Sequence, residues 1–305
     1  METAQAYFLV VVQEKSLKKA AQRLFLSPQN LGNHMKRLED RYGPLFVRRP
    51  RFTLTAVGQA LAESLWEIRN IEQEFAQRAA QLSQTPQGEL RMGLNSSRAQ
   101  VLLPRLVPTF RQQFPEVTLD FVYGDTQVLE QQLLEGELDL VLGVDAQEQA
   151  QLEQLPLLAE PILFALAAEL AEKIGAKEKR GLTPDQAASF PLLRNPESSH
   201  LQQKLTRFWA RQTVQPRYDL TAADFLLQLE LAAQGLGGCF FPAMLLSRLE
   251  VLNQQLPPAK QLLVYQVQDL TEKSQLSLVL RKKQFRPEFL KAWIRLWQQA
   301  AGKGA

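Results

Sequence analysis

Apolar positions recur along this chain with two different periods, and the changes of period divide it into stretches. Between residues 17 and 39 the spacing is helical, in two short runs. Leu17 to Leu24, with the small pair Ala20-Ala21, predicts one helix able to approach a neighbour closely. After a tight turn, Ser27 is suited to cap a second helix and Pro28 to open it, where its missing N–H costs nothing. Leu31, Met35 and Leu38 then fall at i, i+4 and i+7 and predict a buried stripe. Gln29, Asn33 and Lys36 repeat the same spacing on the opposite side.

The next segment, LFVRRPRFTLT, sets Arg48, Arg49 and Arg51 among Phe46, Val47, Phe52 and Leu54. With Pro50 and this alternation it predicts a short β-ribbon rather than a helix. From Val57 to about Leu82, Leu61, Leu65, Ile68, Phe75, Ala79 and Leu82 return at spacings of three and four. That predicts a helix of roughly 39 Å with a seam for another helix, interrupted at Glu72. A surface helix packed on its own body carries a similar pattern. Ser83 to Gly88, with Pro86, punctuates the chain as a hinge. Beyond it strands and helices alternate: ELRMGL and a helix through Phe114, VTLDFVY and a helix near Val128 to Glu135, then LDLVLGV. This order predicts a parallel, doubly wound sheet, whose ligands bind beyond the carboxyl ends of the strands.

Charge sharpens the division. The net charge of the 305 residues is +3, but residues 1–56 hold ten Lys/Arg against four Asp/Glu, and the remainder holds 25 against 28. A basic head on a mildly acidic body points to a polyanion as the partner of the head. The longest apolar stretches, Tyr7 to Val12 and Pro161 to Ala168, are far short of the roughly 20 residues that cross a bilayer. The first residues lack the basic flank and cleavage site of a secretory signal. With a single cysteine, Cys239, ruling out an internal disulfide, these features predict a cytoplasmic protein without a membrane partner.

Candidate chemistry is that of binding. Two histidines, His34 and His200, and one cysteine are too few for an ordinary zinc site. Phosphate-loop, nucleophile-elbow and dinucleotide motifs are absent, so no catalytic residue, metal or cofactor is expected. Gln29 and Asn33 carry amides able to hydrogen-bond base edges, and Lys36 suits phosphate, as a helix in the major groove requires. A solvated face is the plain alternative. The arginines of the ribbon suit the phosphate backbone or the minor groove. In the body, Asn95, Ser96 and Ser97 stand directly ahead of a helix and Thr126 stands in a comparable place after the second strand. Hydroxyls and free N–H groups there favour an anion, although capping explains them equally. Arg98 adds charge or faces solvent. Cys239 reads as a buried small apolar residue.

The run SLKKAAQRLFLSPQNLGNHMKRLEDRYGPLFVRRPRFTLTAVGQ resembles the winged helix-turn-helix of LysR-type transcriptional regulators. Ser16, Ala20, Ala21, Leu24, Ser27, Leu38, Glu39, Gly43, Leu45, Phe46, Arg48, Leu54, Thr55 and Gly58 follow the family pattern in order. Two departures lie on the reading helix: Pro28-Gln29 inverts the usual order, and Gly32 stands where the family often has Ser. GELRMGLNSS, LLPRLVPTFRQQFPEVTLDFVYG, LLEGELDLVLG and ADFLLQLELAAQGLGGCFFP are similar to the family's effector region.

The resemblance implies an N-terminal winged helix-turn-helix, a long linker helix, and an α/β effector domain of two Rossmann-like subdomains, like a periplasmic binding protein. The expected bounds are 1–56 for the head, 57–87 for the linker and hinge, and 88–305 for the effector domain. Within the last, one subdomain takes about 88–163 and 269–305 and the other about 164–268. Double-stranded DNA is the implied partner of Ser27, Pro28, Gln29, Asn30, Gly32, Asn33, Lys36, Arg48, Arg49 and Arg51. A small-molecule effector is implied between Ser96, Ser97 and Thr126 on one wall and Asn195 and Thr221 on the other. Homodimers that go on to tetramers are implied as well. A solute-binding protein on the same α/β cleft, without transcriptional output, is the alternative, and an enzyme on that scaffold a third.

Overall fold

The computed structural model describes residues 1–47, 52–81, 88–176 and 181–302. The chain folds as two compact units, one chiefly residues 1–85 and the other chiefly residues 86–305. The first contains α1 (Thr3–Glu14), α2 (Leu17–Arg23), α3 (Pro28–Tyr42), β1 (Phe46–Val47), β2 (Thr53–Leu54) and α4 (Ala56–Gln81). Phe8, Leu9 and Val11 of α1, Ala20 and Ala21 of α2, and Leu31, Met35 and Leu38 of α3 share one core with Leu45, Phe46, Leu65 and Trp66. The apolar run Tyr7 to Val12 is thus a core helix of the head.

The ribbon forms as expected, β1 pairing antiparallel with β2 through Phe46–Leu54 and Val47–Thr53. Helix α4 starts against it. The Thr55 hydroxyl accepts from the N–H of Gly58 at 3.0 Å and donates to the Pro44 carbonyl at 2.6 Å. A Cβ on Gly58 would lie 2.1 Å from the Leu45 carbonyl oxygen, so only glycine allows this approach. Further along α4, Ile68, Ile71 and Phe75 are exposed, Phe75 by 72%. Leu82 and the hinge residues 83–87 lie outside the described residues, as does the side chain of Ala79.

The second unit runs β3 (Gly88–Leu94), α5 (Ser96–Gln113), β4 (Val117–Tyr123), α6 (Thr126–Leu134), β5 (Leu140–Val144), β6 (Leu152–Ala167), α7 (Ala168–Lys173), β7 (Gly181–Leu182) and α8 (Pro184–Ala187). It continues with β8 (Leu192–Arg194), α9 (His200–Trp209), β9 (Tyr218–Thr221), α10 (Phe225–Ala233), β10 (Gly238–Pro242), α11 (Leu246–Gln254), β11 (Leu262–Val267), β12 (Lys273–Arg281) and α12 (Glu288–Gly302). Strand order is β4-β3-β5-β12-β6-β10-β8-β9, with β11 also paired to β6 and to β7.

Purely parallel winding is corrected by this order. Strands β4, β3 and β5 are parallel, as are β10, β8 and β9, but β12 is antiparallel to β5 and β6, and β6 antiparallel to β10 and β11. Strand β6 was hidden by its prolines, which cannot donate to a ladder and normally exclude a central strand. Here Pro156 faces the register shift at Leu276/Ser277, and Pro161 stands at the last pair with β12, next to the first pair with β10. Two cores result. One gathers Leu90, Met92, Phe110, Leu278 and Trp293, the other Phe164, Phe208, Trp209, Phe240, Phe241 and Tyr265. The turn into β10 is set by Gly237, whose φ of +142° and 2.1 Å approach to the Pro191 carbonyl oxygen exclude a side chain.

Candidate nucleic-acid interface and ligand cleft

Helix α3 begins as its sequence dictates. The Ser27 hydroxyl accepts from the N–H of Asn30 at 3.1 Å, and Pro28 follows at the first helical position. Ser27→Ala should therefore lower the stability of the head by about 1 kcal/mol, read as an earlier midpoint in thermal melts followed at Trp66. Leu31, Met35 and Leu38 face the core, while Gln29, Asn30, Asn33 and Lys36 are exposed. His34 packs at the helix edge, its ring edge-on to Tyr7 with centroids 5.0 Å apart. Gly32 is half-buried with open space where a Cβ would stand. Glycine inside a helix costs about 1 kcal/mol relative to alanine, and nothing within the head requires it here.

The turn before α3 holds Phe25 at φ +55°, with its ring 97% exposed. Asparagine tolerates this backbone far better than a bulky residue. Arg48, Arg49 and Arg51 lie outside the described residues. Phe46 and Phe52, on either side of that segment, stack with centroids 4.9 Å apart.

In the α/β unit the start of α5 carries the predicted hydroxyls. Asn95, rather than either serine, caps the helix, accepting from the N–H of Ser97 at 3.0 Å. Ser96 and Ser97 instead donate to one carboxylate oxygen of Asp224, at 2.8 and 3.1 Å. The other oxygen of Asp224 caps α10, accepting from the N–H groups of Leu226 and Leu227 at 2.8 and 3.1 Å. Ser97 closes the arrangement by accepting from the N–H of Phe225 at 3.2 Å. Burial alone would raise the pKa of Asp224, but the N–H groups of Leu227 and Leu226 and the two serine hydroxyls outweigh it and hold the carboxyl below its usual range. Stabilisation by this clasp is accordingly present above a pH of about 4 and lost as pH falls through the depressed value.

Thr126 is buried and accepts from the N–H of Val144 at 3.1 Å, tying α6 to the end of β5. It lines a cavity of about 120 Å³ together with Arg98, Asp125, Ser198, His200 and Ser274. Asn195 and Thr221 do not line it: Asn195 is buried, and Thr221, exposed, accepts from Arg194 Nε at 3.3 Å. Arg98 does not face solvent. Its guanidinium reaches the Glu160 carboxylate at 2.5 Å, the two side chains 4% and 3% exposed, and Glu160 also accepts from the N–H of Met244 at 3.1 Å.

Sequence reasoning missed Asp125, Ser198, Ser274 and Asp224. Asp224 could have been read as the residue before the apolar run FLLQLELAA, an N-cap position. Among the described residues no group of three or more His, Cys, Asp or Glu side chains could hold a metal, and no helix is long and apolar enough to cross a membrane.

Two family profiles match the chain: "Bacterial regulatory helix-turn-helix protein, lysR family" over residues 3–59 and "LysR substrate binding domain" over residues 83–302. The Hca operon transcriptional activator HcaR of Escherichia coli K12 is 27% identical over 242 residues, 77% of this chain and 79% of HcaR. The hydrogen peroxide-inducible genes activator of Escherichia coli O157:H7 is 26% identical over 162 residues, 52% of this chain, so the match spans 53% of that protein. A solved full-length OxyR variant from Pseudomonas aeruginosa superimposes with a TM-score of 0.68 at 20% identity, covering 99% of this chain and 94% of that one. With a matching head and a matching α/β region that takes up more than half of its length, the chain belongs to the LysR family of DNA-binding transcriptional regulators.

Proposed function

We propose that this regulator reads an inverted repeat with two copies of α3, and that a small molecule in the cleft of the α/β unit alters the geometry of the paired heads. The observation that carries the reading is the exposed polar face of α3, with Gln29, Asn33 and Lys36 opposite a fully buried stripe. Ser27, Pro28, Asn30 and Gly32 belong to the same surface, and Arg48, Arg49 and Arg51 supply phosphate contacts from the wing segment. The open space at Gly32 suits close approach to DNA. Exposed Ile68, Ile71 and Phe75 on α4 support pairing of subunits through the linker, as a homodimer that assembles further to a tetramer. The working bounds are 1–56, 57–87 and 88–305, with the effector subdomains dividing near 163 and 269. The protein acts in the cytoplasm and turns over no substrate.

The effector acts without thiol chemistry. Although a relative is named as hydrogen peroxide-inducible, Cys239 is fully buried and burial pushes its thiol up to about 12. Its reaction with a thiol reagent should be on the order of a thousandfold slower in the folded chain than in denaturant, measured by mass spectrometry after timed quenching.

The direct test of the regulator is selection of duplexes from a random pool by the full-length chain at two salt concentrations. An enriched inverted repeat whose binding falls steeply with salt is expected. Enrichment without a consensus removes the sequence-reading role of α3.

A further inference from the structure

The cleft has an unusual electrostatic balance for a site built at helix starts. Helix N-termini and hydroxyls favour an anion, yet here the hydroxyls of Ser96 and Ser97 and the N–H groups at the start of α10 already hold the carboxylate of Asp224. An incoming carboxylate would have to displace an internal one that makes four hydrogen bonds. The cation that lines the adjacent cavity, Arg98, is likewise engaged, by Glu160.

What the cavity leaves open is acceptor capacity and negative charge. Asp125 stands exposed at its edge, and its one hydrogen bond there comes from the Ser198 hydroxyl at 3.2 Å. No cation among the described residues pairs with it. Ser274 lines the same cavity with 0% exposure, and among the described residues its hydroxyl has no hydrogen-bond partner. The Nε2 of His200, also in the lining, is buried and equally without a partner. A buried polar atom left without a partner keeps its full desolvation cost, which a ligand hydrogen bond would relieve.

We propose that the cleft of this chain takes a small cation, an alkylammonium group seated between Asp125, Ser274 and His200, rather than the anion that its helix starts favour. A primary ammonium offers three N–H donors, matching a carboxylate, a hydroxyl and an imidazole nitrogen. Size follows from the volume: a cavity of about 150 Å³ accommodates benzene, so the 120 Å³ here limits the enclosed part of the ligand to about half a dozen heavy atoms. Asp224 sets the charge selectivity by occupying the anion-accepting groups itself. This assignment rests on the reading of the cleft as the effector site.

The test titrates the full-length chain with n-butylamine, butan-1-ol and butyrate, three probes that share one carbon chain and differ in charge, and follows binding by ligand-observed NMR. Saturable binding of the amine is expected, at least tenfold tighter than that of butyrate. Asp125→Asn should weaken the amine at least tenfold, and Ser274→Ala by a few fold, with both variants checked for folding by circular dichroism. Butyrate binding as tightly as the amine, an amine affinity indifferent to Asp125→Asn, or no amine binding at all would each overturn the proposal. Duplex selection separates the two levels: a chain that selects an inverted repeat but ignores the amine loses only the ligand assignment, and one that binds the amine but selects no sequence loses only the regulator reading.

Discussion

Glu160→Ala should destabilise the α/β unit by about 3–5 kcal/mol. The substitution leaves the Arg98 guanidinium, 4% exposed, without its counter-ion and deprives the Met244 N–H of its acceptor. A buried charge left alone costs far more than the intact pair contributes, because the desolvation already incurred is no longer offset. For the same reason Arg98→Met with Glu160→Leu should recover most of the loss. Urea unfolding of the full-length chain, followed by near-UV circular dichroism of the buried Trp209, Trp293 and Trp297, measures both. A single-variant loss below about 1 kcal/mol would mean that water reaches the pair. Its place matters for function, since Arg98 lies on α5 beside the cleft, Glu160 on β6 and Met244 just after β10.

The second large effect concerns DNA. Asn33→Ala should lose about 1–3 kcal/mol of binding at one base position, roughly a five- to 150-fold change confined to duplexes that carry the preferred base. Lys36→Ala should behave differently, weakening all duplexes alike and lowering the slope of log affinity against log salt by about 1. Neither residue supports the fold: both are exposed on α3, opposite Leu31, Met35 and Leu38. Competition binding with duplexes altered one base at a time distinguishes the outcomes. Uniform loss on Asn33→Ala would reassign that amide to a phosphate.

The head was legible because its signals are local. Ser27, Pro28 and the i, i+4, i+7 stripe specify α3 within about ten residues, and along the 26 residues of α4 apolar positions return at spacings of three and four, broken at Glu72. In the body the strand–helix alternation from Gly88 to Val144 is equally local. The antiparallel strands were not, because their pairing joins residues far apart in sequence, Cys239 with Ala165 and Leu280 with Glu153, and no periodicity encodes that. Between Ala167 and Gln215 the elements are as short as the two residues of β7 and the four of α8, below the length at which a period can be read.

The site divided in the same way. Ser96, Ser97 and Thr126 were visible as polar residues at helix starts, yet the sequence could not show that the serines are occupied. Asp224 meets Ser96 across 128 residues, and only folding brings them together. Asn195 and Thr221 were placed on the second wall by resemblance, whereas polar residues of that half lining the cavity, Ser198, Ser199 and His200, lie at the start of α9.

The two cores of the α/β unit share one strand. Pairing with β12 ends at Pro161, and pairing with β10 begins at Ile162, so β6 belongs to both sheets without a loop between them. The return passes through a short turn between β11 and β12, with Asp269 at φ +63°. A unit joined this way cannot open like a hinged lid on a slack linker. Any change of cleft width must be absorbed as torsion about β6 near Pro161 together with flexing of the 268–272 turn. Hydrogen exchange would then register ligand binding in the amides of Ile162 and Leu163, in the middle of a sixteen-residue strand, where exchange is ordinarily slowest.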